Sequence, residues 1–158
     1  MERRRTLGSE VENVMNEEYE LLGEVDISKF GSGETLFEKD CNCSEIVLIW
    51  NDMVNGSNTA STVDVLVNNV ALGAGRPKTA KSGSALNGYS IIKILEGIGC
   101  LALNSSGAIS RTMYAGNTQA VETPYNLLPI TDRIKKIILK NSTTAYHATG
   151  GHIKIYGR

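Results

Sequence analysis

The sequence predicts an all-β protein, an antiparallel β-sandwich of jelly-roll-like type preceded by a short N-terminal helix. From Tyr19 onward, apolar residues recur with a period close to two, which is typical of half-buried strands. These runs are rich in Val, Ile, Leu and Tyr and are bounded by Gly, Asn and Ser clusters, as in short strands joined by turns. No regular helical pattern lies between them, which argues against βαβ units and favours an antiparallel sandwich.

The first eighteen residues differ from the rest and are predicted to form a helical connector, with the sandwich domain covering residues 19–158. Ser9 and Glu12 have the spacing of a capping box, so we expect a short helix over residues 9–18. Apolar residues of this segment recur at helical spacing: Leu7, Val11, Val14 and Met15, of which the first three also fit alternating d and a positions of a heptad. Two interpretations stay open, an amphipathic helix packed on its own domain and the end of a coiled coil. In the second, these three residues are oligomer contacts, although Glu18 interrupts the pattern.

Seven segments are predicted as strands: Tyr19–Ile27, Glu45–Asn51, Val63–Val70, Tyr89–Glu96, Gly99–Asn104, Ala108–Ala115 and His152–Tyr156. The segment after Asp132 is ambiguous, because Thr131 and Asp132 could cap a helix while Ile137–Leu139 is β-rich. We interpret it as an eighth strand. Gly97–Gly99 is predicted as a hairpin connection and Gly150–Gly151 as a turn. The glycine-rich stretch Gly73–Gly88 is predicted as a long surface loop.

Composition excludes several classes of function. The chain has 158 residues and a formal charge of −1, without the basic excess of a dedicated nucleic-acid binder. No apolar run reaches 18 residues, so no membrane insertion is expected. No apolar run of signal-peptide length follows Met1, so we expect the protein to accumulate in a cytoplasm. Three cysteines are an odd number and too few for a disulfide framework, which favours reduced thiols.

No catalytic residues, metal site or cofactor are predicted. The segment Gly75–Ser82 resembles a phosphate-binding loop, but Ala80 replaces its second glycine and no helix follows, so an exposed, mildly basic loop is the better interpretation. Cys41 and Cys43 lack metal-ligand partners at standard spacing. His147 and His152 flank the predicted Gly150–Gly151 turn and are interpreted as surface residues. The single tryptophan, Trp50, ends an apolar run and is predicted to be buried.

The C-terminal stretch Gly151–Arg158, with the sequence GHIKIYGR, resembles the last strand of many phage and prophage minor structural and tail proteins. Three further segments resemble strands of the same family. Tyr19–Val25 is similar to the opening strand, Glu45–Ile49 to the strand that follows and Ile130–Ile137 to the penultimate strand.

This resemblance implies a jelly-roll-like sandwich, assembly as a homotrimer and a place in the virion at a tail tip, tail fibre or baseplate, after assembly in the bacterial cytoplasm. The implied function is non-enzymatic. The partners are other virion tail proteins and, for a receptor-binding module, a host cell-surface polysaccharide. The alternative is a bacterial carbohydrate-binding or accessory domain of a glycan-processing protein, which would need exposed aromatic side chains.

Overall fold

The fold is all-β, with ten strands and a single 3-10 turn among the residues that the computed structural model describes, which are 18–56, 60–73, 76–79, 85–104, 125–143 and 145–158. In chain order the strands are β1 (Glu20–Asp26), β2 (Thr35–Cys43), β3 (Glu45–Val54), β4 (Val63–Val67), β5 (Val70–Ala71), β6 (Leu86–Leu95), β7 (Gly99–Asn104), β8 (Tyr125–Leu128), β9 (Ile134–Asn141) and β10 (Gly150–Gly157). The 3-10 turn, Ile27–Lys29, follows β1.

The strands form two antiparallel sheets, arranged as in a β-sandwich. The larger sheet has the order β1-β10-β3-β6-β7-β8, and the smaller has the order β2-β9-β4-β5. All strand pairs within each sheet are antiparallel. The predicted all-β class and antiparallel sheets are therefore confirmed.

One apolar core holds the two sheets together. Alternate residues of the central strands of both sheets point into it and are fully buried: Ile46, Leu48, Trp50, Ile153 and Ile155 from the larger sheet, and Val63, Val65, Ile137 and Leu139 from the smaller. Burial of such side chains stabilises the fold by roughly 1.5–3 kcal/mol each before conformational entropy is counted. The period-two pattern of the sequence thus becomes the inner faces of two packed sheets.

Most of the predicted strands are present. Gly99–Asn104 has the predicted bounds, and Gly97 adopts a φ of 73° in the hairpin turn before it. The ambiguous segment after Asp132 is strand β9. Ala108–Ala115 and the predicted helix over residues 9–18 lie outside the described residues.

The prediction of one strand over Val63–Val70 was wrong. Asn68 and Asn69 have φ angles of 49° and 65°, which are the left-handed values of a two-residue hairpin turn between β4 and β5. The Asn68 carboxamide fixes this turn against the start of β9. Its Nδ2 donates to Arg133 O at 2.9 Å, and its Oδ1 accepts from Lys135 N at 2.7 Å. Asparagine tolerates left-handed backbone better than other non-glycine residues, so the turn is compatible with its sequence.

The prediction of a turn at Gly150–Gly151 was also wrong, because both residues lie in β10. The register between β10 and β3 shifts between Gly150 and His152, so Gly151 lies at an irregularity inside the sheet. Two strands were not predicted, β2 and β8. In the part of the chain that the structure describes, no helix is long and apolar enough to cross a membrane.

Candidate interaction surface

The candidate site is the outer face of the larger sheet, the face that points away from the core. In strand β3 the core takes Ile46, Leu48 and Trp50, so Glu45, Val47 and Ile49 point outward. Each of these outward residues has a cross-strand partner on the neighbouring strands, so the outward side chains form rows that run across the sheet. One row is apolar on five neighbouring strands, with partners in register: Leu21, Tyr156, Val47, Ile91 and Leu103. An apolar row on the outside of an antiparallel sheet is unusual, because that face commonly carries polar residues.

The half of this face formed by β6, β7 and β8 is exposed. Tyr89 is 50% exposed, Leu103 42% and Leu127 51%. Leu101 lies between β6 and β8, paired with Lys93 on one side and Leu127 on the other. We call Tyr89, Leu101, Leu103 and Leu127 the exposed patch. Contiguous exposed apolar side chains on a sheet are typical of interaction surfaces.

In the other half of the face the buried side chains lie on β10 and β3, whereas Leu21 on β1 is 47% exposed. Val47 is 4% exposed and Tyr156 2%, although both point away from the core and neither belongs to its apolar cluster. They pair directly across β3 and β10. The same row of the sheet therefore changes from buried at β10 and β3 to exposed at β7.

An ionic cluster at one end of the buried half joins both ends of the described chain. Arg158 donates from Nε and Nη2 to Glu45 Oε2 at 3.2 and 2.9 Å, and its Nη1 lies 3.3 Å from Glu18 Oε2. Tyr19 donates its hydroxyl to Glu45 Oε1 at 2.8 Å, and the Arg158 guanidinium lies 4.7 Å from the Tyr19 ring centroid. We call Glu18, Tyr19, Glu45 and Arg158 the Arg158 cluster.

The buried carboxylate of this cluster has a charged partner. Glu45 is buried, and its carboxylate is compensated by a two-nitrogen contact from Arg158 and by the Tyr19 hydroxyl. Desolvation and the hydrogen bond to Glu45 raise the pKa of Tyr19 to about 12. Backbone hydrogen bonds add to this contact: Arg158 N donates to Glu45 O at 3.1 Å, and Arg158 O accepts from Ser44 N at 2.7 Å. The cluster thus ties the residues just before β1 and just after β10 to Glu45 at the start of β3.

The predicted exposed loop Gly73–Gly88 needs correction where the structure describes it. Lys78 and Thr79 are buried, and Thr62 forms an isolated antiparallel bridge with Lys78. Thr79 Oγ1 accepts from Asn55 Nδ2 at 2.8 Å and from Ser61 N at 2.9 Å. These bonds tie the segment to the ends of β3 and β4, so this part of the predicted loop is packed structure.

The cysteines occupy ordinary structural positions, and His147 is half-buried with a buried Nδ1 atom. All three cysteines are free; Cys43 and Cys100 lie in the core, and Cys41 packs against it. Burial raises the pKa of the Cys41 and Cys100 thiols to about 11, so both thiols are protonated and weakly reactive at neutral pH. His152 is exposed on β10, opposite Asn51. Among the described residues, no group of three or more His, Cys, Asp or Glu side chains could hold a metal ion.

Two further predictions have different outcomes. Trp50 is fully buried, as predicted, and is therefore not an exposed platform for a sugar. The expected oligomer contacts Leu7, Val11 and Val14 lie outside the described residues and stay a prediction.

Sequence reasoning missed both the exposed patch and the Arg158 cluster. A signal for the patch is present in β7, where Cys100, Leu101, Ala102 and Leu103 are apolar at both parities of a strand. Cys100 and Ala102 lie on one face of this strand and Leu101 and Leu103 on the other. If only one face is covered, the apolar side chains of the other face are exposed. The Arg158 cluster has no local signal, because Glu45 and Arg158 are 113 positions apart in the sequence.

The chain was compared with protein-family models, with curated proteins and with solved structures, and no match was found in any of the three.

Proposed function

We propose that this protein is a non-enzymatic structural module of a phage or prophage tail, placed at a tail fibre, tail tip or baseplate and assembled in the bacterial cytoplasm. In this proposal it works as a homotrimer and contacts other virion tail proteins. A host cell-surface polysaccharide is the further ligand if the module also binds the receptor.

The observation that carries the proposal is the Arg158 cluster. Three segments that resemble the phage tail family separately meet there: Tyr19 from the opening strand, Glu45 from the second and Arg158 from the C-terminal motif. Each characteristic residue of that motif also has a physical role. Ile153 and Ile155 fill the core, and a Cβ on Gly157 would lie 2.7 Å from Cys43 Sγ. A motif whose residues fulfil such joint structural roles is expected in a common structural module rather than in an active site.

We also infer that the sandwich is a jelly roll. The support comes from strand order. If β7 and β8 are taken as an added edge hairpin, the remaining eight strands form two four-stranded sheets, β1-β10-β3-β6 and β2-β9-β4-β5. Apart from the β4–β5 hairpin, successive strands then cross between the sheets in the manner of two Greek keys, which is the arrangement of an eight-stranded jelly roll.

A second candidate function is glycan binding by a bacterial accessory domain. The observation that favours it is the exposure of two tyrosine side chains, Tyr89 at 50% and Tyr146 at 48%. Exposed aromatic rings stack on sugars and donate hydroxyl hydrogen bonds. Tyr89 lies opposite Ile49 on an apolar part of the sheet, however, and such a surface suits a protein segment better than a sugar.

The solution mass tests the homotrimeric part of the proposal. We expect light scattering after size exclusion to give three times the 17.1 kDa of the chain, unchanged on dilution through the micromolar range. A trimer gives weak individual sites the benefit of avidity, which a tail module requires. A monomer at every concentration would contradict this part of the proposal and favour the accessory-domain alternative.

A further inference from the structure

We propose that Cys41 and Cys43 form a two-thiol binding site for a soft monovalent cation of the Cu⁺ class. The site lies in β2, an edge strand of the smaller sheet. Metal binding is a function beyond the packing of these side chains in the core. It does not depend on the protein's being a phage component.

The two thiols lie on the same face of β2 and beside the same residue of β9. Cys43 is buried in the core and Cys41 packs against it, whereas Asn42 between them is exposed. The Cys41 thiol donates to Ile134 O at 3.4 Å, and Cys43 is the residue that pairs with Ile134. The Cys41 sulfur also lies within hydrogen-bonding reach of the Cys43 thiol and amide. Both sulfur atoms can therefore contact one ion.

An irregularity of β2 shortens the segment that carries the two cysteines. Asp40 pairs with Lys136 and Cys43 pairs with Ile134, so three residue steps of β2 lie opposite two steps of β9. Three steps of a regular strand cover about 10 Å and two steps about 6.6 Å. The chain between Asp40 and Cys43 is therefore contracted, as in a β-bulge. This contraction favours a common ligand for two side chains that a regular strand would hold farther apart.

The number and type of ligands select the ion. Thiolates are soft ligands, which among biological metals favour Cu⁺ and Zn²⁺. A protein site for Zn²⁺ requires three or four ligands. Among the residues that the structure describes, no group of three or more His, Cys, Asp or Glu side chains could hold a metal ion. Cu⁺ is satisfied by two sulfur ligands, so the pair suits Cu⁺ and not Zn²⁺.

A neighbouring cation compensates the charge of the complex. One Cu⁺ ion replaces the protons of two thiols, so the site gains one negative charge and no electron is transferred. The Arg133 Nε donates to Asn42 Oδ1 at 3.0 Å, and its Nη2 donates to Asn42 O. Its guanidinium, which stays charged at all ordinary pH values, thus lies beside the residue between the two cysteines.

The same proton exchange predicts how affinity depends on pH. Desolvation by burial raises the pKa of Cys41 to about 11, so its thiol is protonated at neutral pH and the ion must displace that proton. Proton competition weakens as the pH rises, so we expect the affinity for Cu⁺ to increase with pH from 6 to 8.

Anaerobic titration of the reduced full-length chain with Cu⁺, in competition with a chromogenic Cu⁺ chelator, tests the site. We expect one ion per chain, a near-ultraviolet sulfur-to-copper absorption band and a higher thermal unfolding temperature with the ion bound. Cys41→Ala should lower the affinity by more than about 100-fold, because the loss of an outer-shell contact alone costs 10- to 100-fold. Cys41→Ser, which is nearly isosteric, should give the same loss.

Cys100→Ala is the matched control, because it removes a buried free thiol from β7 in the other sheet. We expect this variant to bind Cu⁺ like the wild type. Equal affinity of the wild type and both Cys41 variants would overturn the proposal, as would equal losses in the Cys41 and Cys100 variants. One ion per two chains, or Zn²⁺ bound as tightly as Cu⁺, would overturn it too, because the ion would then need ligands that the pair does not supply.

Discussion

Replacement of Gly151 by alanine is expected to lower the free energy of unfolding by roughly 3 kcal/mol or more. Gly151 has a φ of 113°, a conformation that residues with a Cβ rarely adopt. A Cβ at this position would also lie 2.9 Å from Asp52 O and from Met53 Cα, and 3.0 Å from Asn51 O. All three atoms belong to the backbone of β3, so the clash cannot be relieved by a side-chain rotation.

Chemical denaturation of Gly151→Ala and Gly56→Ala checks this expectation. Gly56 is the matched control, because a Cβ there would meet no atom within 4 Å and its φ is not left-handed. We expect its substitution to change stability by less than about 0.5 kcal/mol. Equal losses in the two variants would contradict the close approach of β10 and β3 at this irregularity.

Replacement of Asn141 by alanine is expected to cost roughly 2–4 kcal/mol of unfolding free energy. The Asn141 side chain is buried at the end of β9, and all its polar atoms are bonded to backbone. Its Nδ2 donates to Ala148 O at 2.9 Å and to Gly31 O at 3.2 Å, while its Oδ1 accepts from Ala148 N and Ser142 N, both at 3.1 Å. Alanine would leave buried backbone groups of two loops without these partners.

The control for Asn141→Ala is Asn51→Ala, which removes the same carboxamide from an exposed position in β3. We expect Asn51→Ala to unfold at nearly the wild-type denaturant concentration. Hydrogen exchange at the Ala148 amide adds a local measurement, and we expect that amide to lose protection only in the Asn141 variant. Unchanged stability of Asn141→Ala would show that this side chain does not hold the two loops together.

Much of the strand content could be predicted from the sequence, because core-facing residues of antiparallel strands alternate with outward-facing ones. Strand β7 has the predicted bounds. Strand β9 was also predicted as a strand, although its first residues resemble a capped helix. Strand β2 was missed because it is an edge strand that carries Glu38, Lys39 and Asp40 in succession, and these side chains conceal its alternation. The Lys39 side chain reaches the other sheet, where its Nζ donates to Leu22 O of edge strand β1 at 3.2 Å.

The candidate surface depends on strand order, which local sequence does not determine. The exposed patch exists because β7 and β8 extend the larger sheet beyond β6, so that Leu103 lies beside Ile91 and Leu127 lies beside Leu101. The Arg158 cluster needs β1 and β3 to flank β10 on opposite sides. Periodicity predicts which residues share a face of one strand, but neighbouring strands are chosen by tertiary packing.

The most direct test of the proposed function is the composition of phage particles from the strain that encodes the chain. After induction, particles purified by density gradient would be analysed by mass spectrometry and by electron microscopy with gold-labelled antibodies against residues 19–158. We predict that the chain co-purifies with the particles and that the label lies at the tail tip, tail fibres or baseplate. Complete particles that lack the chain, with the protein recovered only from the soluble cell fraction, would contradict the account.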